Sequence, residues 1–101
     1  MLRVTPIQNG SKTTLKLEGN LSGPWVAELE NCWAKIVEEK APVEIDLGGL
    51  SFVDPNGTAL LVRIQRAGSR LFGGSRFIHD LLSAKANVLR AWRTNLKQRE
   101  N

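Results

Sequence analysis

Two stretches near the start of the chain, residues 2–7 and 13–18, alternate apolar and polar side chains. Such alternation is the pattern of a β-strand that buries one face. The pair Asn9-Gly10 lies between them and readily takes the positive φ angles of a tight turn. We therefore predict a β-hairpin with a connection of two residues or more. Pro6 cannot donate a hydrogen bond to a neighbouring strand, which places the first strand at a sheet edge.

Residues 24–39 instead repeat apolar side chains at helical spacing, which predicts an amphipathic α-helix. Ser22 or Gly23 can cap its start, and Pro24 suits the first turn, where its missing N–H would have no partner. The apolar stripe of this helix consists of Trp25, Leu29, Cys32, Trp33, Ile36 and Val37. Two tryptophans beside a cysteine could form a ligand-binding box, but the helical spacing favours core packing.

A short strand is predicted at residues 43–47, where three apolar residues alternate with Glu44 and Asp46. A parallel strand covered on both faces would be apolar throughout, so this alternation indicates a sheet with helices mainly on one face. We expect Gly48-Gly49 to end the strand and residues 50–53 to lead into the next turn.

The second half of the chain continues to alternate helices and strands. A helix is predicted at about 56–67 and stops at Gly68. The side chains that this helix buries are Leu60, Leu61, Ile64 and Ala67. Then follow a strand at 69–72, a turn at Gly73-Gly74, a short helix capped by Ser75, and a final helix at about 85–98.

The predicted order, β-hairpin, α, β, α, β, α, α, is that of an α/β domain whose later strands are parallel. We predict a single domain over residues 1–101, with a mixed β-sheet, an N-terminal hairpin and about four helices packed mainly on one face. The pattern leaves open whether the C-terminal helix, residues 84–101, is part of this domain. The helix-covered core should include Trp25, Leu29, Trp33, Leu60 and Ile64.

Composition narrows the functional classes. A chain of 101 residues has the size of one domain, and its single cysteine cannot form an intramolecular disulfide. No apolar run approaches the roughly 18 residues that span a bilayer, so we expect a cytoplasmic protein without membrane insertion. Residues 1–50 carry five Lys/Arg and seven Asp/Glu, whereas residues 51–101 carry nine and three. The basic half suggests an acidic partner surface or nucleic acid, although cations also simply solubilise helices.

Side chains that carry out catalysis are sparse. The one histidine, His79, has Asp80 beside it, but adjacent helical residues do not face each other. No glycine-rich phosphate loop with a lysine occurs, and no group of His, Cys, Asp and Glu has metal-ligand spacing. Cys32 lies on an apolar stripe, without the polarising neighbour that a nucleophile needs. We expect no enzyme activity, no catalytic residue, no metal and no cofactor.

The turn at residues 54–58 joins a strand-like run to a helix. Either Asp54 caps this helix with Pro55 at its first position, or Asn56 is the cap. In both cases free N–H groups and the positive end of the helix dipole lie at the turn, where a phosphate or a partner's carboxylate would be favoured. A simple helix cap without any ligand accounts for the same residues.

Residues 43–62 resemble the signature of STAS domains. That signature is an apolar strand ending in Asp-Leu, an aromatic or aliphatic pair, an aspartate, two small residues, a glycine and an apolar helix. Residues 17–25 resemble the passage from a strand to the first helix in this family, and residues 70–73 fall where its last strand lies. The resemblance extends over about residues 13–83.

STAS domains of the antagonist type bind an anti-sigma factor that is also a kinase. The kinase phosphorylates a serine or threonine before the second helix, which weakens the complex. In this chain Asp54 matches the family's aspartate, Gly57 its glycine and Asn56 the phosphoacceptor. Asparagine has no hydroxyl, so the resemblance implies a binding surface that is not phosphorylated at this position. Thr58 and Ser51 are nearby hydroxyls, but neither matches the phosphoacceptor position.

The resemblance therefore implies a regulatory protein-interaction domain like the bacterial anti-sigma-factor antagonists of transcription control, with an anti-sigma factor or related serine kinase as its partner. It also implies an alternative, a cytoplasmic accessory subunit of a lipid-transporting ABC system that packs against the ATPase, or of a signalling assembly. Nucleic acid is disfavoured as a partner because the basic residues are spread over three helices. The sequence leaves open whether the protein forms a homodimer. The predicted partner surface comprises Asp54, Pro55, Asn56, Gly57, Thr58, Arg63 and Arg66.

Overall fold

The computed structural model describes residues 1–84, so the predicted final helix at about 85–98 lies outside the described residues. Within the described part, four strands form one sheet, and the third of three helices, α3, occupies residues 76–84. The other elements are β1 (Leu2–Asn9), β2 (Lys12–Leu21), α1 (Pro24–Glu38), β3 (Val43–Val53), α2 (Pro55–Arg66) and β4 (Arg70–Phe72). The α/β order is as predicted.

The first two strands form the predicted hairpin, although both are longer than their alternation indicated. Asn9 pairs with Lys12, so Gly10 and Ser11 alone make the turn, and Gly10 has a φ of 67°. Residues with a side chain rarely adopt such an angle, which is why glycine suits this turn. β1 lies at the edge of the sheet, where Pro6 was predicted to be.

The sheet is mixed and has the strand order β1-β2-β3-β4. β1 and β2 are antiparallel, whereas β2 with β3 and β3 with β4 form parallel pairs. Because parallel neighbours end at the same edge of a sheet, the chain leaves β2 at Leu21 and β3 at Val53 side by side. This edge positions the site described below.

β3 continues through the glycine pair that was predicted to end it. Against β2, Lys16 pairs with Asp46 but Glu18 pairs with Gly49, so β3 holds one extra residue there, and a second register shift follows. Such β-bulges bend a strand without ending it. A Cβ on Gly49 would lie 2.7 Å from the carbonyl oxygen of Leu17. Glycine therefore permits a close approach of the two backbones here, and the predicted strand end is wrong.

The core lies between one face of the sheet and the helices, as the alternation predicted. Along β2 and the first part of β3, buried residues alternate with polar ones such as Lys16 on the outer face. On that face, Lys12 Nζ and Glu44 Oε1 form an ion pair at 2.7 Å. The predicted core residues that are fully buried are Leu29, Leu60 and Ile64.

The two tryptophans of α1 lie at the margin of this core. Trp25 and Trp33 are half-buried and pack against it, as the helical spacing predicted. Trp33 Nε1 also donates a hydrogen bond to Ser69 Oγ at 3.0 Å. This bond ties α1 to the segment that follows α2.

The helices begin and end close to the predicted residues. Gly23 is the N-cap of α1, and α2 stops before Gly68, whose φ of 107° suits a helix end. Ala67 is the C-cap of α2 and is exposed. Its predicted burial is wrong because the helix ends one residue earlier than the apolar spacing indicated. Ser75 Oγ accepts a hydrogen bond from Ile78 N–H at 3.2 Å and caps α3, as predicted.

Candidate functional site

The turn at residues 54–58 lies at the edge where β2 and β3 end together. Leu21 and Val53 are paired in the sheet, so the chain enters α1 and α2 from adjacent points. The first turns of these two helices are therefore close enough for one side chain to bond both.

Asp54 makes this connection. Its Oδ1 accepts a hydrogen bond from Gly57 N–H at 2.6 Å, and its Oδ2 accepts one from Gly23 N–H at 3.0 Å. Its own N–H donates to the carbonyl oxygen of Leu21 at 3.0 Å. One carboxylate thus caps α2 and anchors the start of α1. Of the two caps that the sequence left open, Asp54 is the one used, and Asn56 lies within the helix.

The backbone donors of the turn are largely used. Pro55 has no N–H, Gly57 N–H donates to the Asp54 side chain, and Thr58 N–H donates to the Asp54 carbonyl oxygen at 2.8 Å. An anion site at a helix N-terminus depends on several convergent free donors. The carboxylate of Asp54 therefore already takes up the Gly57 donor at the place that was predicted for a phosphate or a partner's carboxylate.

Gly57 and Thr58 are buried beneath the turn. A Cβ on Gly57 would lie 2.6 Å from the carbonyl oxygen of Leu21 and 2.9 Å from its Cγ, so glycine fits where a side chain would not. Thr58 is 5% exposed, and its hydroxyl donates to the Asp54 carbonyl oxygen at 3.0 Å. Both residues were predicted to contact a partner, but the structure places them in the support of the turn.

The exposed part of the predicted surface is a stripe along α2. Four residues, Asn56, Ala59, Arg63 and Arg66, follow the i, i+3, i+7, i+10 spacing that defines one helix face. At 1.5 Å of rise per residue the stripe is about 15 Å long. We call these four residues the α2 stripe. Ala59 is partly exposed and was not predicted, although the same spacing would have identified it.

Arg63 is already paired within the chain. Its Nη2 lies 2.7 Å from Glu30 Oε2 on α1, and the two side chains are 61% and 43% exposed. Exposed ion pairs of this kind contribute little to stability because water and salt screen them. A partner that binds Arg63 has to compete with Glu30 or extend the pair. Arg66, by contrast, is exposed at the far end of the α2 stripe.

Phe52 is an exposed apolar residue that the sequence analysis missed. It is 51% exposed, lies two residues before the turn, and follows the exposed Ser51. The bulges of β3 account for this position, because the buried residues change from alternate spacing to Leu47, Leu50 and Val53. The three-residue spacing of these apolar side chains is the signal that could have identified Phe52 as outward-facing.

The described part of the chain offers little catalytic or metal chemistry. No group of three or more His, Cys, Asp and Glu in residues 1–84 could hold a metal ion. His79 Nε2 donates a hydrogen bond to the carbonyl oxygen of Gly73, so its ring is engaged with backbone rather than with Asp80. No helix in the same range combines the length and the apolar composition that crossing a bilayer requires.

The mixed four-stranded sheet with its helices has a STAS-like fold. The anti-sigma factor antagonist SpoIIAA in its unphosphorylated form is similar, with a TM-score of 0.65 and 18% identity over 82% of each chain. An uncharacterized DUF3478-family protein with a SpoIIAA-like fold from Shewanella loihica gives 0.53 and 10% identity, over 90% of this chain and 77% of that one. No family model and no curated protein matches the sequence.

A third similar structure is that of Mglu, with a TM-score of 0.56 and 17% identity. The match covers 70% of this chain but only 19% of Mglu, so the chain corresponds to a small part of that protein. At these identities the comparisons establish the fold. The predicted resemblance to the STAS fold is confirmed.

Proposed function

We propose that this protein is a non-enzymatic regulatory domain that binds another protein through the α2 stripe and the adjoining turn. The observation that supports this most directly is that Asn56 is exposed on a turn that the fold holds in place. Asp54 holds the turn with both carboxylate oxygens, while Pro55 and Asn56 are exposed at its tip. A surface that is ordered before binding loses less conformational freedom on association.

The proposed partner is an anti-sigma factor or a related serine kinase, and we propose that binding takes place in the cytoplasm. The likeness to SpoIIAA, an anti-sigma factor antagonist, supports this class of partner. Arg66 and the Arg63–Glu30 pair suit acidic groups on the partner, and Phe52 offers apolar contact area next to the turn. Charges at the rim of such an interface mainly raise the association rate and set its salt dependence.

The proposed surface is not switched by phosphorylation at residue 56. Asn56 is polar and neutral and has no hydroxyl that could accept a phosphate. Thr58 is buried and its hydroxyl is bonded within the first turn of α2, so a kinase would have to open that turn to reach it. Ser51 is exposed on β3, three residues before Asp54, so its hydroxyl is accessible.

Affinity measurements on a captured partner test the proposal. Arg66→Gln removes a cation from the α2 stripe, and Ala59→Gln adds uncharged bulk between Asn56 and Arg63. Lys16→Gln removes a cation from the outer face of the sheet and is the matched control. We expect both stripe variants to weaken binding, with Arg66→Gln lowering the association rate at low salt most. Equal affinities for all four proteins would locate the interface elsewhere.

The identity of the captured protein separates the alternatives. An anti-sigma factor supports the proposal, whereas a transporter ATPase would favour the accessory-subunit alternative, and a second copy of this chain would indicate a homodimer. Nucleic-acid binding, the remaining alternative, is recognised by a steep loss of affinity with salt as counterions are recaptured.

A further inference from the structure

The chain contains two Asn-Gly pairs, Asn9-Gly10 and Asn56-Gly57, and the fold places them in opposite environments. Glycine has no Cβ, so its backbone nitrogen can approach the side chain of a preceding asparagine with little hindrance. We propose that Asn9 is a site of spontaneous deamidation in the folded protein, and that the cap formed by Asp54 protects Asn56 from the same reaction. This inference does not depend on the proposed function.

The reaction needs no enzyme and no co-reactant other than water. The glycine nitrogen attacks the side-chain carbonyl carbon of asparagine, forming a new C–N bond. The C–N bond to the side-chain amide breaks, and ammonia leaves with the proton from the glycine nitrogen. Water then opens the resulting succinimide at either carbonyl, giving aspartate or isoaspartate. A neutral side chain is thereby replaced by a negatively charged one.

At Asn56 the attacking nitrogen is held in place. Gly57 N–H donates to Asp54 Oδ1 at 2.6 Å, and Thr58 N–H closes the first helical turn on the Asp54 carbonyl oxygen at 2.8 Å. Ring closure requires the peptide between Asn56 and Gly57 to rotate out of the helix. Gly57 is buried against Leu21, so that rotation would have to displace packed atoms. The reaction therefore requires the start of α2 to open.

At Asn9 neither constraint applies. Asn9 and Gly10 are exposed at the tip of the hairpin. No atom of the described structure beyond the adjacent residues lies within 4 Å of the position that a Cβ on Gly10 would take. The peptide there can rotate without displacing a packed side chain, and only the pairing of Asn9 with Lys12 at the end of the hairpin has to open.

The test is a time course on the full chain at mildly alkaline pH, with both Asn-Gly peptides followed by mass spectrometry. We expect Asn56 to react at least about tenfold more slowly than Asn9 in the folded protein, because local opening limits it. In guanidinium chloride the two rates should become similar, since both pairs then lie in an unfolded chain. Equal rates in the folded protein would overturn the proposal, as would slow reaction of Asn56 in the denaturant.

Variants at Asp54 test the role of the cap. Asp54→Ala should raise the rate at Asn56 roughly thirtyfold, the effect of losing a strong N-cap on the closed state. The rate at Asn9 should not change, which makes it an internal control in every sample. Asp54→Ser keeps a capping oxygen and should react nearly as slowly as wild type. An unchanged Asn56 rate in folded Asp54→Ala would refute the role of the cap. If that variant does not fold, the comparison of folded and denatured wild type decides.

Discussion

Replacing Asp54 with alanine tests the claim that one carboxylate anchors two helices. The substitution deletes the hydrogen bonds from Gly57 N–H, at 2.6 Å, and from Gly23 N–H, at 3.0 Å. It leaves the bond to Leu21 intact, because the backbone of residue 54 makes it. The two helix starts therefore lose their shared acceptor while the end of β3 stays in register.

The loss in free energy of unfolding depends on how exposed each of the two deleted hydrogen bonds is. Loss of an N-cap costs about 0.5–2 kcal/mol, and the short, partly buried, charge-assisted bond to Gly57 places this one near 2 kcal/mol. The bond to Gly23 is exposed, so water can replace Asp54 and the loss is about 0.5–1 kcal/mol. The sum, about 2.5–3 kcal/mol, corresponds to a fall in Tm of roughly 10–20 °C for a domain of this size.

Urea unfolding followed by tryptophan fluorescence measures this loss, because Trp25 and Trp33 pack at the core margin. Asp54→Ser should recover the cap but not the bond to Gly23, giving a loss near 1 kcal/mol. Asp46→Ala is the matched control, since Asp46 Oδ1 accepts only an exposed local bond from Gly48 N–H at 2.8 Å. If Asp54→Ala lies within about 0.5 kcal/mol of wild type, the range of ordinary surface substitutions, the anchoring argument is wrong.

Three further substitutions test the packing around the site by the same unfolding measurement. Gly57→Ala should lower the free energy of unfolding by about 2 kcal/mol or more, because the added Cβ would lie 2.6 Å from the backbone oxygen of Leu21, whose displacement would disturb the sheet. An unchanged stability would mean that the turn can shift to accommodate a Cβ. Trp33→Phe should cost roughly 1 kcal/mol through the bond to Ser69. Trp33→Ala should cost more than Trp33→Phe because the packed ring is lost as well. We expect about 2–4 kcal/mol, less than for a fully buried tryptophan because the ring is half-buried. Equal losses for Trp33→Phe and Trp33→Ala would show that the ring does not pack.

The elements that the sequence predicted well are those decided by local chemistry. The hairpin follows from alternation and Asn9-Gly10, and the helix starts follow from prolines at their first positions. The end of β3 was wrong because Gly48-Gly49 looks like a turn locally. Its actual conformation depends on hydrogen bonds to β2, a strand about 30 residues earlier in the chain. Local propensity carries no information about such a partner.

The same limit applies to the site. The sequence left Asp54 and Asn56 as alternative caps, and the local bond from Gly57 N–H makes Asp54 the cap of α2. The second bond of Asp54 comes from Gly23, 31 residues away in the chain, and could not be inferred from local spacing. The pairing of Arg63 with Glu30 spans 33 residues and could not be inferred from spacing on α2 alone. Spacing does establish the face of the helix, because Asn56, Arg63 and Arg66 are exposed as predicted. That this face binds a partner stays a prediction.

The turn separates residues that build the fold from residues that are free to vary, and this leads to a last prediction. Asp54, Gly57 and Thr58 are bonded or buried, whereas Asn56 is exposed and its side chain is not needed for the cap. Asn56→Ser should therefore change the stability by no more than about 0.5 kcal/mol in urea unfolding.

The same variant restores a hydroxyl at the position where the STAS resemblance places the phosphoacceptor. If the proposed partner is a serine kinase, incubation with ATP should phosphorylate residue 56 of the variant and leave wild type unmodified at residues 54–58. Peptide mapping of both proteins measures this, with Asn56→Ala as the matched control that lacks both the amide and the hydroxyl.

Phosphate on Thr58 of the wild type would contradict the argument, because it would show that the first turn of α2 opens readily despite the Asp54 cap. A folded serine variant that a bound kinase leaves unmodified would instead show that the tip does not enter the kinase active site. The partner surface would then have to be sought away from the turn.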